Sequence, residues 1–194
     1  MTLQEERSET TVTAILRCAR KQFARVGYSA TTIDQIAADA GVAKGGVYHH
    51  FATKAAIFAA VFDQVSEDVA QEVFSIARAE KDVLQSIVVG TKAYFECCSK
   101  KNYRKILLED GPSVLGWEKW RAIDAKHFGG ATTSALKAAI DTKLIRPQPV
   151  EPLATLVNGA ITEAAFACAN SGNYRSTAMA YSQAFEHMLE GLRI

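Results

Sequence analysis

The sequence predicts an all-α fold, and three observations carry the prediction. Apolar residues recur at spacings of three and four from Thr10 to the C-terminus, which marks helices with one buried face. No stretch of useful length alternates apolar and polar residues as a half-buried strand would. The breaks between the periodic stretches are Gly, Pro, Asn and Ser, the residues of turns that join helices. With 48% hydrophobic and 22% charged residues among 194, the chain is expected to fold as one large or two small globular domains, neither disordered nor rod-like.

The elements follow in order. Val12, Ile15, Leu16, Ala19, Phe23 and Val26 line one face of a first helix over 10–26, which Gly27 stops. A second opens at Thr31-Thr32, where Thr32 and Gln35 fit a capping box; it presents Ile33, Ile36, Ala37 and Ala40 and ends at Gly41. After Gly41-Val42-Ala43 a short third helix spans 44–50, with Val47 and Phe51 turned inward. Thr53 caps a fourth, from 54 to about 79. Further helices are expected over 82–99, 101 to about 110, about 117 to 141, 151–171 and 176–193. Gly111-Pro112 and Arg146-Pro147-Gln148-Pro149 punctuate them, and Ser171-Gly172-Asn173 makes a turn short enough for antiparallel packing of its neighbours.

Two short helices joined by a Gly-containing turn, with a longer helix behind, form a helix-turn-helix, which places its second short helix in a DNA major groove. Lys44, Tyr48 and His49 fall on the outward face of that helix. Gly45 and Gly46 each cost about 1 kcal/mol relative to Ala in a helix interior, so a role in close backbone approach to a phosphate or base edge accounts for them. Thr32 and Lys54 open the flanking helices and can meet the DNA backbone. Taken singly, Tyr48 reads equally as a half-buried aromatic, His49-His50 as a surface pair and Lys54 as a solvated lysine; together they point to a reading surface. His50 is expected to wedge between helices. Adjacent histidines diverge by about 100° on a helix and make no zinc pair. Charge adds little: the net +1 divides into +2 over residues 1–54 and −1 over the remainder, a weak bias toward a polyanion.

The run from Thr32 to Lys54, TIDQIAADAGVAKGGVYHHFATK, resembles the DNA-binding signature of the TetR/AcrR family of regulators. The matching positions are Thr32, Ile36-Ala37, Ala40-Gly41-Val42, Lys44-Gly45, Val47-Tyr48, His50-Phe51 and Lys54. The resemblance implies base or phosphate contacts from Lys44, Gly45, Gly46, Tyr48 and His49, and phosphate contacts from Thr32 and Lys54. Ala43 stands where the family often has serine and Ala55 where it often has glutamate. By the same resemblance, residues 1–53 form a helix-turn-helix DNA-binding domain of three helices, and 54–194 a six-helix ligand-binding and dimerisation domain. A small molecule there reshapes the link to the fourth helix and lowers affinity for double-stranded DNA.

A reader this short gains affinity by doubling, and two half-sites one helical turn apart require a twofold dimer. Helices 151–171 and 176–193, with small residues at Gly159, Ala160, Ala164 and Ala165, are the expected homodimer interface, the alternative being an ordinary intrachain hairpin. Trp117, Trp120, His127 and Phe128 are candidates to line an effector pocket, with Tyr94, Phe95 and Tyr103 as further candidates; plain core packing is the competing reading for each. No H-E-x-x-H, G-x-S-x-G or G-x-x-x-x-G-K motif occurs, so neither catalytic residues, metal ligands nor a cofactor is expected. The four cysteines, Cys18, Cys97, Cys98 and Cys168, show no C-x-x-C spacing and read as buried thiols, the Cys97-Cys98 doublet leaving a redox role conceivable. Three acids and one arginine precede the first apolar run, the wrong order for a signal peptide, and no run of about 18 apolar residues occurs. A cytoplasmic protein with no membrane contact is expected. The reading is of a repressor of a palindromic operator, released by a small hydrophobic or amphipathic effector; a regulator without an effector and a small all-α enzyme are the alternatives.

Overall fold

A computed structural model describes residues 3–194, with side chains from Glu6 onward. The elements are α1 (Leu3–Ala30), α2 (Ile33–Ala40), α3 (Lys44–His50), α4 (Lys54–Ala77), α5 (Val83–Ser99), α6 (Lys101–Arg104), α7 (Gly111–Leu115), α8 (Trp117–Asp124), α9 (Gly130–Asp141), α10 (Val150–Ala169) and α11 (Tyr174–Glu190). Two π-helical stretches, Lys105–Asp110 and Ala125–Gly129, join α6 to α7 and α8 to α9 without a break. The fold is all-α, and among the described residues β-pairing is confined to an isolated antiparallel bridge between Ile145 and Arg193.

The chain forms two compact units, one of Met1–Val65 with Lys101–Trp120 and one of Ser66–Lys100 with Arg121–Ile194. They do not follow the division of roles expected at 53/54, because the segment 101–120 packs with the N-terminal helices. In the first unit Ile15, Ala19, Phe23, Ile36, Val47, Phe58, Val61 and Phe62 are fully or almost fully buried. Phe58 sits edge-on to Phe23 at 5.1 Å and to Tyr28 at 5.3 Å. α1 is longer than the apolar face suggests, since it also takes in the polar stretch from Glu6 to Thr10, exposed at Glu6, Arg7, Glu9 and Thr10. Gly27 breaks its regular geometry with φ 83°, and a Cβ there would stand 2.7 Å from the Lys105 side chain. The Tyr28 amide beyond it donates to the Asp110 carboxylate at 2.8 Å.

Gly111-Pro112 is not the stop that the sequence suggests. The helix runs through it to Leu115 and stops at Gly116, where φ is 74° and ψ 158°. Gly111 is required by packing: a Cβ would lie 2.7 Å from the Phe62 ring and 2.9 Å from the Ile106 carbonyl. Pro112 stands at the start of α7, where a missing N–H costs little.

In the second unit, Leu84, Ile87 and Val88 of α5, Leu136 and Ala139 of α9, Leu153, Ala154 and Val157 of α10 and Phe185 and Leu189 of α11 form one apolar cluster, with Ile145 among them. α10 and α11 make the expected hairpin across residues 170–173. Asp82 caps α5 by accepting from the Leu84 and Gln85 amides, and Arg193 binds the same carboxylate at 2.7 Å. By length and apolarity α10 would suffice to cross a membrane, although most of its apolar window is not buried within the chain. No run of about 18 apolar residues occurs in the sequence, and α10 reaches this level only as an average over a window that includes polar residues.

Candidate nucleic-acid interface and ligand cavity

The short helices are held by local chemistry. Thr32 caps α2: its hydroxyl accepts from the Gln35 amide while the Gln35 side chain accepts from the Thr32 amide, a complete capping box. Gly41 closes α2 in the left-handed conformation, φ 68°, which glycine adopts without a steric cost. α3 then begins at Lys44, after Ala43, whose side chain supplies no cap. Val47 anchors it with a fully buried side chain. On the opposite face Lys44, Gly45, Tyr48 and His49 are exposed, Tyr48 to 47%. A Cβ on Gly45 or Gly46 would meet nothing within 4 Å, so no contact inside the protein requires these glycines.

The Lys44 ammonium pairs with Asp34 of α2 at 2.9 Å, both groups being more than half exposed. The hydrogen bond and charge of Asp34 raise the Lys44 pKa; so open a pair is worth little and breaks easily for a stronger anion. Lys54 stands differently. Its ammonium donates to the Tyr28 carbonyl at 2.8 Å and the Thr31 carbonyl at 2.7 Å, and lies 4.2 Å from the centre of the Tyr28 ring. It therefore ties the start of α4 to the α1–α2 turn, with one N–H beyond those two bonds. Thr32 is likewise engaged in its cap. His50 is half-buried, its ring edge-on to His49 at 5.0 Å.

The second unit holds a cavity of about 120 Å³, walled by Val73, Phe74 and Ala77 of α4, Ser86, Ile87, Gly90, Thr91 and Tyr94 of α5, Asp124 and Phe128, residues of α9, and Asn158, Ile161 and Thr162 of α10. Phe128 packs edge-on against Tyr94 at 5.5 Å and against Phe74 at 6.3 Å. Of the effector-pocket candidates, Tyr94 and Phe128 lie on this wall. Phe95 is buried beside it, its carbonyl accepting from the Tyr174 hydroxyl at 3.0 Å. Trp117 and Trp120 belong to the other unit, stacked at 5.5 Å; Trp120 is buried and donates to the Leu107 carbonyl, while Trp117 is 58% exposed. Tyr103, also in that unit, faces the Arg20 guanidinium at 5.9 Å. His127 is half-buried next to Phe128 and is absent from the wall.

Sequence reasoning missed Asp124 and Phe74. Asp124 stands one helical turn before Phe128, a spacing that could have found it. Burial pushes its carboxyl up to about 6, against the opposing pull of Arg121 and His127. Burial, with Cys98 and Asp124 nearby, raises Tyr94 well above its usual value, so its phenol stays neutral. All four cysteines are buried and reduced. Burial and the neighbouring Glu72 push Cys97 up to about 12, which leaves little thiolate for redox chemistry at neutral pH.

A buried-anchor reading helix on a capped scaffold, in a chain whose remaining helices enclose a cavity, defines a helix-turn-helix DNA-binding transcription regulator with a ligand-binding domain. Residues 15–61 match the bacterial regulatory proteins of the tetR family, and residues 84–192 match the tetracyclin repressor-like C-terminal domain. The chain belongs to the TetR family. It is similar to the transposon Tn10 TetC protein of Escherichia coli, 24% identical over 160 residues, which cover 80% of this chain and 79% of that protein. The crystal structure of a TetR-family transcriptional regulator from Pectobacterium atrosepticum superposes with a TM-score of 0.86 at 26% identity, over 100% of this chain and 98% of that one. The fold is shared with RolR crystallised with resorcinol, at a TM-score of 0.76 and 14% identity, over 95% and 89% of the two chains.

Proposed function

We propose that this regulator is a homodimeric cytoplasmic repressor that reads a palindromic operator through α3 and releases it when a small effector enters the cavity of the second unit. The observation that carries the reading is the outer face of α3. Lys44, Tyr48 and His49 stand exposed there beside two glycines that nothing in the protein requires, over the buried Val47 anchor. Lys44 exchanges Asp34 for DNA, Tyr48 and His49 reach base edges or phosphates, and Gly45-Gly46 let the backbone approach. Thr32 and Lys54 act chiefly by fixing the reader, Lys54 with one N–H toward a phosphate. In this division of labour residues 1–53 bind DNA and 54–194 bind the effector and a second copy.

Two features support an effector of modest size. A cavity near 150 Å³ is known to accept benzene, so about 120 Å³ suits a single ring. RolR, of the same fold, holds the single-ring molecule resorcinol. α4 is continuous from Lys54, four residues after α3, to Ala77 on the cavity wall, and a ligand that displaces Phe74 acts on that helix directly.

Selection of tight binders from a random duplex library is expected to return a palindrome, with affinity falling steeply as salt rises. On that duplex, folded Tyr48→Ala and Lys44→Ala proteins should each bind at least about tenfold more weakly, as loss of a good base or phosphate contact implies. Unchanged affinity in both would refute the assignment of α3 as the reader.

A further inference from the structure

The polar groups of the cavity point to the chemistry of its occupant. Ser86 and Thr91 are on the wall, but their hydroxyl protons are already donated to the Val83 carbonyl at 2.7 Å and the Ile87 carbonyl at 2.8 Å. Among the described residues Asp124 is the one charged group on the wall, and neither lysine, arginine nor histidine stands there. A carboxylate or phosphate guest would thus meet a like charge and no cation. A hydrocarbon guest would fill the space and leave the buried carboxylate with only the partial pull of Arg121 and His127, which stand off the wall and do not offset its burial. Three rings, Phe74, Tyr94 and Phe128, crowd the same wall at centroid separations of 5.5 and 6.3 Å, and aromatic faces attract cations most strongly where water is excluded.

We propose that the cavity selects a small organic cation, one ring in size, whose ammonium pairs with Asp124 and lies against the Tyr94 and Phe128 rings. This rests on the cavity being the effector site. The guest's positive charge replaces the water that the carboxylate loses on burial, and its ring fills the apolar remainder between Val73, Ile87 and Ile161. Asp124 is therefore the specificity-determining residue, and the aromatic lining alone would not distinguish charge.

Four single-ring probes of similar size test this at neutral pH: benzylamine, benzyl alcohol, benzoate and toluene, each titrated calorimetrically into the parent protein and Asp124→Asn. Benzylamine should bind the parent at least about tenfold more tightly than the others, the scale of one charged hydrogen bond. Asp124→Asn should lose that preference while still taking up toluene, which also reports that the variant's cavity is intact. If benzyl alcohol, benzoate or toluene matches benzylamine on the parent, or if Asp124→Asn binds benzylamine as tightly, the cation assignment is overturned. Silence from all four overturns it as well. Release of operator DNA is scored separately. Benzylamine bound selectively through Asp124 but without DNA release upholds the cation site and sinks the effector reading; release by toluene or benzoate alone upholds the effector reading and sinks the cation site.

Discussion

At the scale of single residues, both sites carry a local cost to the stability of the fold. Gly45 and Gly46 are unfavourable within a helix by about 1 kcal/mol each, and no protein atom stands where their side chains would be. Gly45→Ala and Gly46→Ala should therefore each raise stability by several tenths of a kcal/mol to about 1 kcal/mol in urea unfolding, yet weaken operator binding measurably in a titration. A variant that gained stability with affinity unchanged would remove DNA approach as the reason for the glycines. Asp124 is a second such case, its burial being only partly offset by Arg121 and His127. Its carboxyl is raised from 3.8 to about 6, so the folded state holds a proton that the unfolded state releases. The folded form accordingly loses stability as pH climbs from about 4 to about 6, and the penalty persists above. Without ligand, Asp124→Asn should melt higher than the parent at neutral pH by about 6 to 12 °C, consistent with about 3 kcal/mol. The difference should vanish as the pH approaches 4. A constant offset at all pH values would mean that the substitution acts through packing instead.

At the scale of elements, α2 is held by two local supports and by one from a segment more than twenty residues away. The Thr32–Gln35 capping box, the left-handed Gly41 and the Lys54 bonds to two carbonyls of the α1–α2 turn fix α2 on both sides. Thr32→Ala removes one cap and should cost about 1 kcal/mol. Lys54→Met keeps the apolar stem but leaves the Tyr28 and Thr31 carbonyls without their charged donor. It should lower stability by about 1 to 3 kcal/mol and operator affinity alongside. If Lys54→Met instead left the melting temperature untouched and reduced only the salt dependence of DNA binding, phosphate contact rather than support would be its role. The other long helices show the limit of local rules. Ala125–Gly129 is π-helical, and such widened turns commonly mark functional positions; here the stretch carries Phe128 onto the cavity wall directly after Asp124.

At the scale of the whole molecule, α10 and α11 expose several large apolar side chains. Leu156 is 72% exposed, Met179 68%, Met188 44% and Tyr181 38%, and a Cβ on Gly159 would meet nothing within 4 Å. In the proposed dimer, a second copy packed on these helices would cover that surface and supply the twofold symmetry that a palindrome demands. Leu156→Glu with Met179→Glu places charges on this face. The double variant is expected to run as a folded monomer in light scattering and to lose most operator affinity, since one reader replaces two. A double variant that remained dimeric would move the interface elsewhere.

The sequence by itself determined the helical class, the capping box, the outward face of α3 and the family, because each depends on groups within a few residues of one another. The 3.6-residue period, the i to i+3 cap and the left-handed glycine are written in adjacent positions. Tertiary structure decided what depends on distant segments meeting. Gly111 looked like a stop and is instead the close-packed neighbour of Phe62 and Trp120. Lys54 looked like a phosphate ligand and mostly holds a turn 23 and 26 residues earlier in the chain. Both tryptophans looked like pocket walls and lie in the other compact unit, while Asp124, unremarked in the sequence, joins Phe74 and Tyr94 in the cavity. The physical reason is common to all four. A helix is specified by hydrogen bonds to its own backbone, but a cavity is specified by which faces of four helices converge, and no local pattern records that convergence.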